Sequence, residues 1–526
     1  MCGCRNKFLI GKIFVDLGKK IWDAAVPRGP SERVILHIRF PSALLILALG
    51  AVLAPQALAA TAAPASGQQA GRVERDIAAF VHDEMRERRI PGLQIAVIRH
   101  GKVVLSRNFG VASLQYGVPV TDASLFSINS ATKAFTGVAV MQLVQQGKVD
   151  LGAPIAAYLP DLPPAWQAVT VTQLLNHTSG LPDVLDQRRG KLVGPDPDDG
   201  QAAWTAVQAL PVEAPPGQRY RYNQSNYVLL AQLIERQSGQ SYVDFIQRGQ
   251  FDPAGMRHSG FGDAKDVVAN KASSYVLGAG GKGYRNVIED FPVFMRAGAG
   301  INSNTGELAS WLAALQAGRL LAPAGVARLW QTTRLNDGKP APWALGWPAI
   351  RRDGHRAVAG IGGGRSAFYV YPDDDLAVII LSNLAGGQPE QLIDAVAGFY
   401  IPALRLRHGG AHAVQLLRHA LGDGPYADLA PKLAAIRRQH GLPSPSENDL
   451  NAWGYRLLAR QQARQAVAVL GLAVQLYPDS ANGHDSLAEA YEADGATAPA
   501  IAHYRRALEL DPGNAHAVAR LQTLQK

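Results

Sequence analysis

At Ser130-Ala131-Thr132-Lys133 a hydroxyl and an amine stand three residues apart, at the head of an apolar run through Phe135, Val138, Met141 and Val144 that ends at Gly147. The run has helical spacing, and residues three apart share a helical face, so the Lys133 amine can touch the Ser130 hydroxyl. A serine hydroxyl is a poor nucleophile until a base takes its proton. A lysine serves as that base only where burial disfavours its charged form, and the flank of an apolar helix provides burial. The helix N-terminus adds partial positive charge and free N–H groups where an oxyanion would develop. The pair predicts acyl transfer through Ser130. The plain alternative is a helix cap followed by a first-turn lysine, since a Ser-x-x-Lys string arises by chance about once in a chain of this length.

Other chemistries find less support. No Gly-x-Ser-x-Gly elbow occurs, because Gly364-Arg365-Ser366-Ala367-Phe368 lacks the second glycine. Neither a His-Glu-x-x-His motif nor a phosphate loop is present, so no metal or other cofactor is expected. Both cysteines, Cys2 and Cys4, lie in the first few residues. If that segment is removed, disulfides, Cys-ligated metals and a Cys nucleophile go with it.

The elements that must position Ser130 can be read around it. Val73, Ile77, Phe80 and Met85 have helical spacing as far as Arg88, and Pro91-Gly92 stops the helix. Residues 93–98 and 102–106 flank His100-Gly101 as a β-hairpin. A helix-rich stretch runs from Ser130 to about Leu321. Strand character returns at 366–371 and 376–381, with Asp373-Asp374-Asp375 as the turn. Strands at both ends with helices between predict one sheet built from both ends of the domain and packed against a helical lobe.

From about Gly410 the chain changes to Ala/Leu/Arg-rich helices. Gly454, Ala466, Ala473 and Pro478 recur 34 residues later as Ala488, Ala500, Ala507 and Pro512, and Trp453/Leu487 and Leu457/Tyr491 fill matching large positions. This resembles the tetratricopeptide repeat, with units at 447–480 and 481–514. Two units do not bury a continuous core alone, so stretches 411–421, 426–440 and 515–524 are expected to cap them. Such a module either docks a protein partner or packs on its neighbour.

The 526 residues are 47% hydrophobic and 18% charged, which is globular composition long enough for two or more domains. The net charge of +9 is concentrated at one end: residues 1–59 hold 8 Lys/Arg and 3 Asp/Glu, a net of +5, leaving +4 for the rest. Without a basic block interleaved with aromatics, no nucleic-acid partner is expected. Within residues 1–59, Arg33 and Arg39 precede the apolar run 43–53, and the small-residue site Ala57-Leu58-Ala59 follows. That order predicts a secretory signal cleaved near Ala59, a run too short for a membrane anchor, and a periplasmic or secreted product. An Ala/Ser/Gly-rich linker, 60–71, leads to the mixed strand-and-helix domain that carries Ser130, and the helical region occupies 403–526.

Around Ser130-Ala131-Thr132-Lys133 the chain carries Pro91-Gly92-Leu93, Gln145-Gln146-Gly147-Lys148 and Leu174-Leu175-Asn176-His177-Thr178-Ser179-Gly180-Leu181. Farther on come Pro216-Gly217, Tyr222, Tyr227-Val228-Leu229-Leu230, Pro253-Ala254-Gly255-Met256, and Gly362-Gly363-Gly364 through Ser382-Asn383. In this order the set resembles the class C β-lactamase, D,D-peptidase and esterase family over about 72–402. The resemblance implies an α/β (α+β) sandwich with an antiparallel sheet, a helical lobe and a site between them, here followed by the all-α module. It implies Ser130 as nucleophile, Lys133 as its partner, and Tyr222, in Tyr222-Asn223-Gln224, as the group that shuttles a proton to the leaving group. His177 then belongs to a structural turn. Gly363 would give the second oxyanion N–H beside that of Ser130, and Gln224, standing where the family often has Asn, would bind substrate.

One departure bears on substrate. The family's Lys-Thr-Gly or His-x-Gly element falls on Gly360-Ile361-Gly362, which lacks the cation or imidazole that holds a substrate carboxylate. Arg365 is the residue that would have to reach in to replace it. The expectation is a serine hydrolase for a small acyl or peptide substrate, more esterase than lactamase. The alternative is a non-catalytic relative that binds peptide or cell-wall fragments and recruits a partner through the repeats.

Overall fold

The computed structural model describes residues 66–525, apart from 187–190, 195–198, 279–281, 353 and 423. The expected leader at 1–59 and the first part of the linker lie outside the described residues. Helix α1 spans Ser66–Arg88, so the last six residues assigned to the linker are helical instead. Once the apolar face of 73–88 is docked, each residue added at the N-terminus gains a hydrogen bond at little further cost.

Strands β1 (Gly92–Arg99) and β2 (Lys102–Ser113) pair antiparallel across His100 and Gly101, whose φ values of 50° and 67° make the two-residue turn that suits strand twist. The two-residue edge strand β3 is Val118–Pro119. Helix α2 (Thr132–Gln145) is buried without a break from Thr132 to Met141, as befits the centre of a helical lobe. Helices α3 (Ser225–Ser238) and α4 (Thr305–Gln316) pack in the same lobe.

Strands β4 (Ala349–Arg352), β5 (His355–Gly362), β6 (Ser366–Tyr371) and β7 (Leu376–Ser382) complete a seven-stranded antiparallel sheet, ordered β4-β5-β6-β7-β1-β2-β3. The join between the two ends of the domain is β1 on β7, with Ile95 opposite Ile380. One face is covered by Ile77, Phe80 and Val81 of α1, and the other by the lobe that contains α2. Both faces are therefore dry, which is why 366–371 and 376–381 read as near-continuous apolar runs and not as alternating ones.

The C-terminal region is all helical: α5 (Gly410–Leu421), α6 (Leu429–His440), α7 (Glu447–Ala459), α8 (Ala463–Leu476), α9 (Ala481–Ala493), α10 (Thr497–Leu510) and α11 (Ala515–Leu524). Each 34-residue stretch folds as a helix pair, α7/α8 and α9/α10. The small residues mark close approaches: a Cβ on Gly454 would lie 2.5 Å from Leu470, and Ala488 and Ala500 are fully buried. This module has its own core around Leu450, Trp453 and Leu470. It docks on α1, where Arg418 pairs with Glu84, Arg460 with Glu87 (3.3 Å), and Gln415 donates to Asp83 (2.9 Å).

Candidate active site

Ser130 sits in a 3-10 turn, Asn129–Ala131, immediately before α2 and not within its first α-helical turn. Asn129 has φ 48°, a left-handed conformation that asparagine tolerates better than most residues, and its Oδ1 accepts from the Ser127 hydroxyl at 3.1 Å. Ser130 is the N-cap residue of neither the 3-10 turn nor α2, those places being taken by Ile128 and Ala131. Its Oγ instead accepts from the Tyr222 hydroxyl at 2.9 Å and from the Lys133 amine at 3.3 Å. That geometry decides against the plain-cap alternative.

Lys133 is fully buried. Besides Ser130 it donates to the Gly298 carbonyl at 2.8 Å and to Gln224 Oε1 at 3.0 Å. Three acceptors match the three N–H donors of an ammonium. The rings of Tyr222 and Tyr227 lie 4.9 and 5.0 Å from the same nitrogen. Gln224, expected to bind substrate, thus has its carbonyl committed to the lysine.

Tyr222 is aimed by the turn beneath it. His177, with φ 60°, accepts the Asn223 N–H on Nδ1 at 3.1 Å, and its own carbonyl accepts the Arg221 N–H at 2.8 Å. Burial, reinforced by the charge of Lys133, pushes the imidazole well below the usual histidine range. It is a neutral spacer whose ring lies 4.5 Å from that of Tyr222 and edge-on to Trp343 at 4.6 Å. Burial also lifts Tyr220 and Tyr227 well above the usual phenol range. Tyr222 is the one of the three phenols bonded to Ser130.

On the sheet side, Gly362, Gly363, Gly364 and Arg365 form a turn closed by the Arg365 N–H on the Gly362 carbonyl at 3.0 Å, with φ near 60° at both central glycines. The turn lies against the residues that lead into Ser130. A Cβ on Gly362 would meet the Ile128 carbonyl at 1.9 Å, and one on Gly363 the Asn129 amide at 2.5 Å. Among the described residues neither the Ser130 nor the Gly363 N–H has an acceptor, so both are available to an oxyanion.

Gly360 points to the same side of β5 as Gly362, directly opposite Phe368 on β6. A Cβ there would meet the Phe368 ring at 2.1 Å, so a phenyl ring fills the space that a cationic side chain would need. Arg365 does not supply the missing charge. Its Nη1 is held at 2.5 Å by Glu289, whose other oxygen takes Lys271 at 3.1 Å, and all three are largely buried.

The beta-lactamase family profile matches residues 77–400. The chain belongs to the beta-lactamase family. Among curated members it is 29% identical over 305 residues to penicillin-binding protein 4* of Bacillus subtilis, covering 54% of this chain and 66% of that one. It is 24% identical over 341 residues to protein flp of Staphylococcus aureus strain MW2, covering 61% and 65%. The chain spans from about half to about two thirds of the length of the staphylococcal relatives. An octameric penicillin-binding protein homologue from Pyrococcus abyssi superposes with a TM-score of 0.56 at 25% identity, covering 66% of this chain and 82% of the other. The hydrolase EstCE1 shares the fold, with a TM-score of 0.53 at 20% identity over 63% of this chain and 99% of its own.

In this beta-lactamase family member the structure brings Ser130, Lys133, Tyr222 and Gln224 into one hydrogen-bonded group and sets Gly363 beside it. Sequence reasoning missed Gly298, whose backbone carbonyl has no side-chain signature beyond the small-residue run Ala297-Gly298-Ala299-Gly300. It also missed Phe368 and Glu289, because cross-strand pairing and a loop contact 76 residues away in sequence leave no local pattern.

Proposed function

We propose that the protein is a serine hydrolase that forms an acyl-enzyme on Ser130 and prefers esters or other uncharged acyl substrates to β-lactams. The observation that carries this reading is the Ser130 hydroxyl held between the Tyr222 phenol and the Lys133 amine, with no capping role. For the attack Tyr222 acts as the phenolate beside the Lys133 ammonium: Ser130 Oγ attacks the acyl carbonyl carbon and its proton passes to the Tyr222 oxygen. The carbonyl π electrons move to the oxygen, which the Ser130 and Gly363 N–H groups receive. As the tetrahedral intermediate collapses, the bond to the leaving oxygen breaks and Tyr222 returns the proton to it. Water then attacks the acyl-enzyme with the same groups in reverse roles.

The preference follows from Gly360 and Phe368. Loss of one partner of a largely desolvated charge pair costs about 2–5 kcal/mol, or roughly 30-fold to several-thousand-fold for a substrate that depends on its carboxylate. A neutral ester avoids that loss. The test is kcat/KM for a nitrophenyl butyrate beside nitrocefin, with fluorophosphonate labelling of Ser130 as the check that the site is competent. Faster turnover of nitrocefin than of the ester would defeat the preference. Failure of a folded protein to label or to turn over either substrate would leave the non-catalytic alternative standing. Export, with the hydrolase acting outside the cytoplasm, is part of the same proposal.

A further inference from the structure

The oxyanion turn is held from behind by a second loop. The Gln388 N–H donates to the Gly364 carbonyl at 2.8 Å, and Gly386 of the same loop lies in van der Waals reach, 3.5 Å from where a Cβ on Gly364 would stand. Gln388 is a non-glycine residue at φ 53°, a conformation that persists only where its surroundings impose it. Arg88, the last residue of α1, reaches into this loop. Its Nη1 donates to the carbonyls of Gly387 (3.2 Å) and Gln388 (3.3 Å) and to Gln391 Oε1 (3.0 Å). The side chain is 5% exposed, and none of these contacts involves Ser130, Lys133 or Tyr222. Its Nε is fixed by Glu84 Oε2 at 2.7 Å, and the other oxygen of Glu84 takes Arg418 from the C-terminal module. A guanidinium suits this place because its planar fork fixes several acceptors at once.

We propose that Arg88 is a positioning residue for the oxyanion turn, and that the C-terminal helical module sets its geometry through Arg418 and Glu84. The chain of contacts runs Arg418, Glu84, Arg88, Gln388, Gly364, and ends one residue from the N–H assigned to the oxyanion. The module is then a brace for the catalytic turn. This inference rests on the hydrolase reading above, since it concerns the donor that reading uses.

The experiment uses the full chain as wild type, Arg88→Gln, Arg88→Lys, Arg418→Gln and Gln391→Ala, with Ser130→Ala as the blank. For each, kcat and KM on the nitrophenyl ester are measured per active site titrated with fluorophosphonate. The affinity for an aryl boronic acid, which forms a tetrahedral adduct with a serine oxygen, and the melting temperature are also recorded. Misplacing one oxyanion donor is expected to lower kcat of Arg88→Gln at least tenfold, with KM within threefold and boronate affinity falling in step with kcat. Arg418→Gln and Gln391→Ala should move the same way by less, and Arg88→Lys should recover part of the loss. Unchanged kcat per titrated site in Arg88→Gln, whatever its melting temperature, overturns the inference. If Arg88→Gln does not fold, unchanged kcat and boronate affinity in both Arg418→Gln and Gln391→Ala overturn it equally. An inactive wild type instead overturns the hydrolase reading.

Discussion

Replacing Glu84 with Gln tests the junction between the two parts of the molecule through its pH dependence. The carboxylate is 1% exposed and lies between Arg88 and Arg418, themselves 5% and 9% exposed. Burial is the largest single influence on it and acts to raise its pKa. Arg418, then Arg88 and Arg456, together outweigh burial and hold the group at about 2, against 4.5 for a free glutamate. A depressed acid contributes stability above its unfolded pKa and loses it as pH falls toward the folded value. A difference of about 2.5 units corresponds to about 3 kcal/mol at pH 7. By the same relation less than half of it remains at pH 3. Glu84→Gln keeps the shape but strands two buried guanidiniums, a change that costs about 3–5 kcal/mol where a buried pair is broken. Urea unfolding of both proteins at pH 7, 5 and 3, followed by circular dichroism, should show the variant weaker at pH 7 by about 3 kcal/mol or more. The gap should persist at pH 5 and narrow by pH 3. Equal midpoints at pH 7, or a gap independent of pH, would refute the argument from the paired carboxylate.

Ser130→Ala and Lys133→Ala should each lower ester turnover by about a thousandfold or more while circular dichroism stays that of the wild type; wild-type-like turnover in a folded Ser130→Ala protein removes the nucleophile assignment. Gly363→Ala places a Cβ 2.5 Å from the Asn129 amide at φ 58°, so kcat should fall at least tenfold as the turn shifts, and an unaltered kcat would show that this turn does not serve the reaction. Glu390 is buried with neither carboxylate oxygen hydrogen-bonded, and burial raises it to about 7. Its charge therefore destabilises the fold progressively as pH climbs from about 4.5 to 7, and Glu390→Gln should raise the melting temperature at pH 8 but not at pH 4.5, a contrast read directly by thermal scans. Intact-mass analysis of protein from a periplasmic extract should show an N-terminus near Ala60, and an unprocessed chain confined to the cytosol would contradict the export reading.

What local sequence determines here is what local physics can encode. The apolar run after Ser130 specifies a helix, and the Ser-x-x-Lys spacing keeps Lys133 within one turn of the hydroxyl, although Ser130 itself stands in the 3-10 turn before that helix. His100-Gly101 between two apolar runs specifies the hairpin, and the 34-residue recurrence of small residues specifies the paired C-terminal helices, because only small side chains let helices approach that closely. The extent of α1 was less legible: the composition of 66–71 is that of a linker, and it is helical because a docked helix extends cheaply. Tertiary structure alone decided the rest. Which phenol among Tyr220, Tyr222 and Tyr227 meets Ser130 depends on a turn held by buried His177. Gln224 turned inward to Lys133 because its amide reaches an amine 91 residues away, and Arg365 was claimed by Glu289 across a loop. The space beside Gly360 was closed by Phe368 from the adjacent strand. Each of these outcomes turns on sub-ångström to few-ångström distances between residues remote in the chain, and residue types and spacings carry no record of such distances.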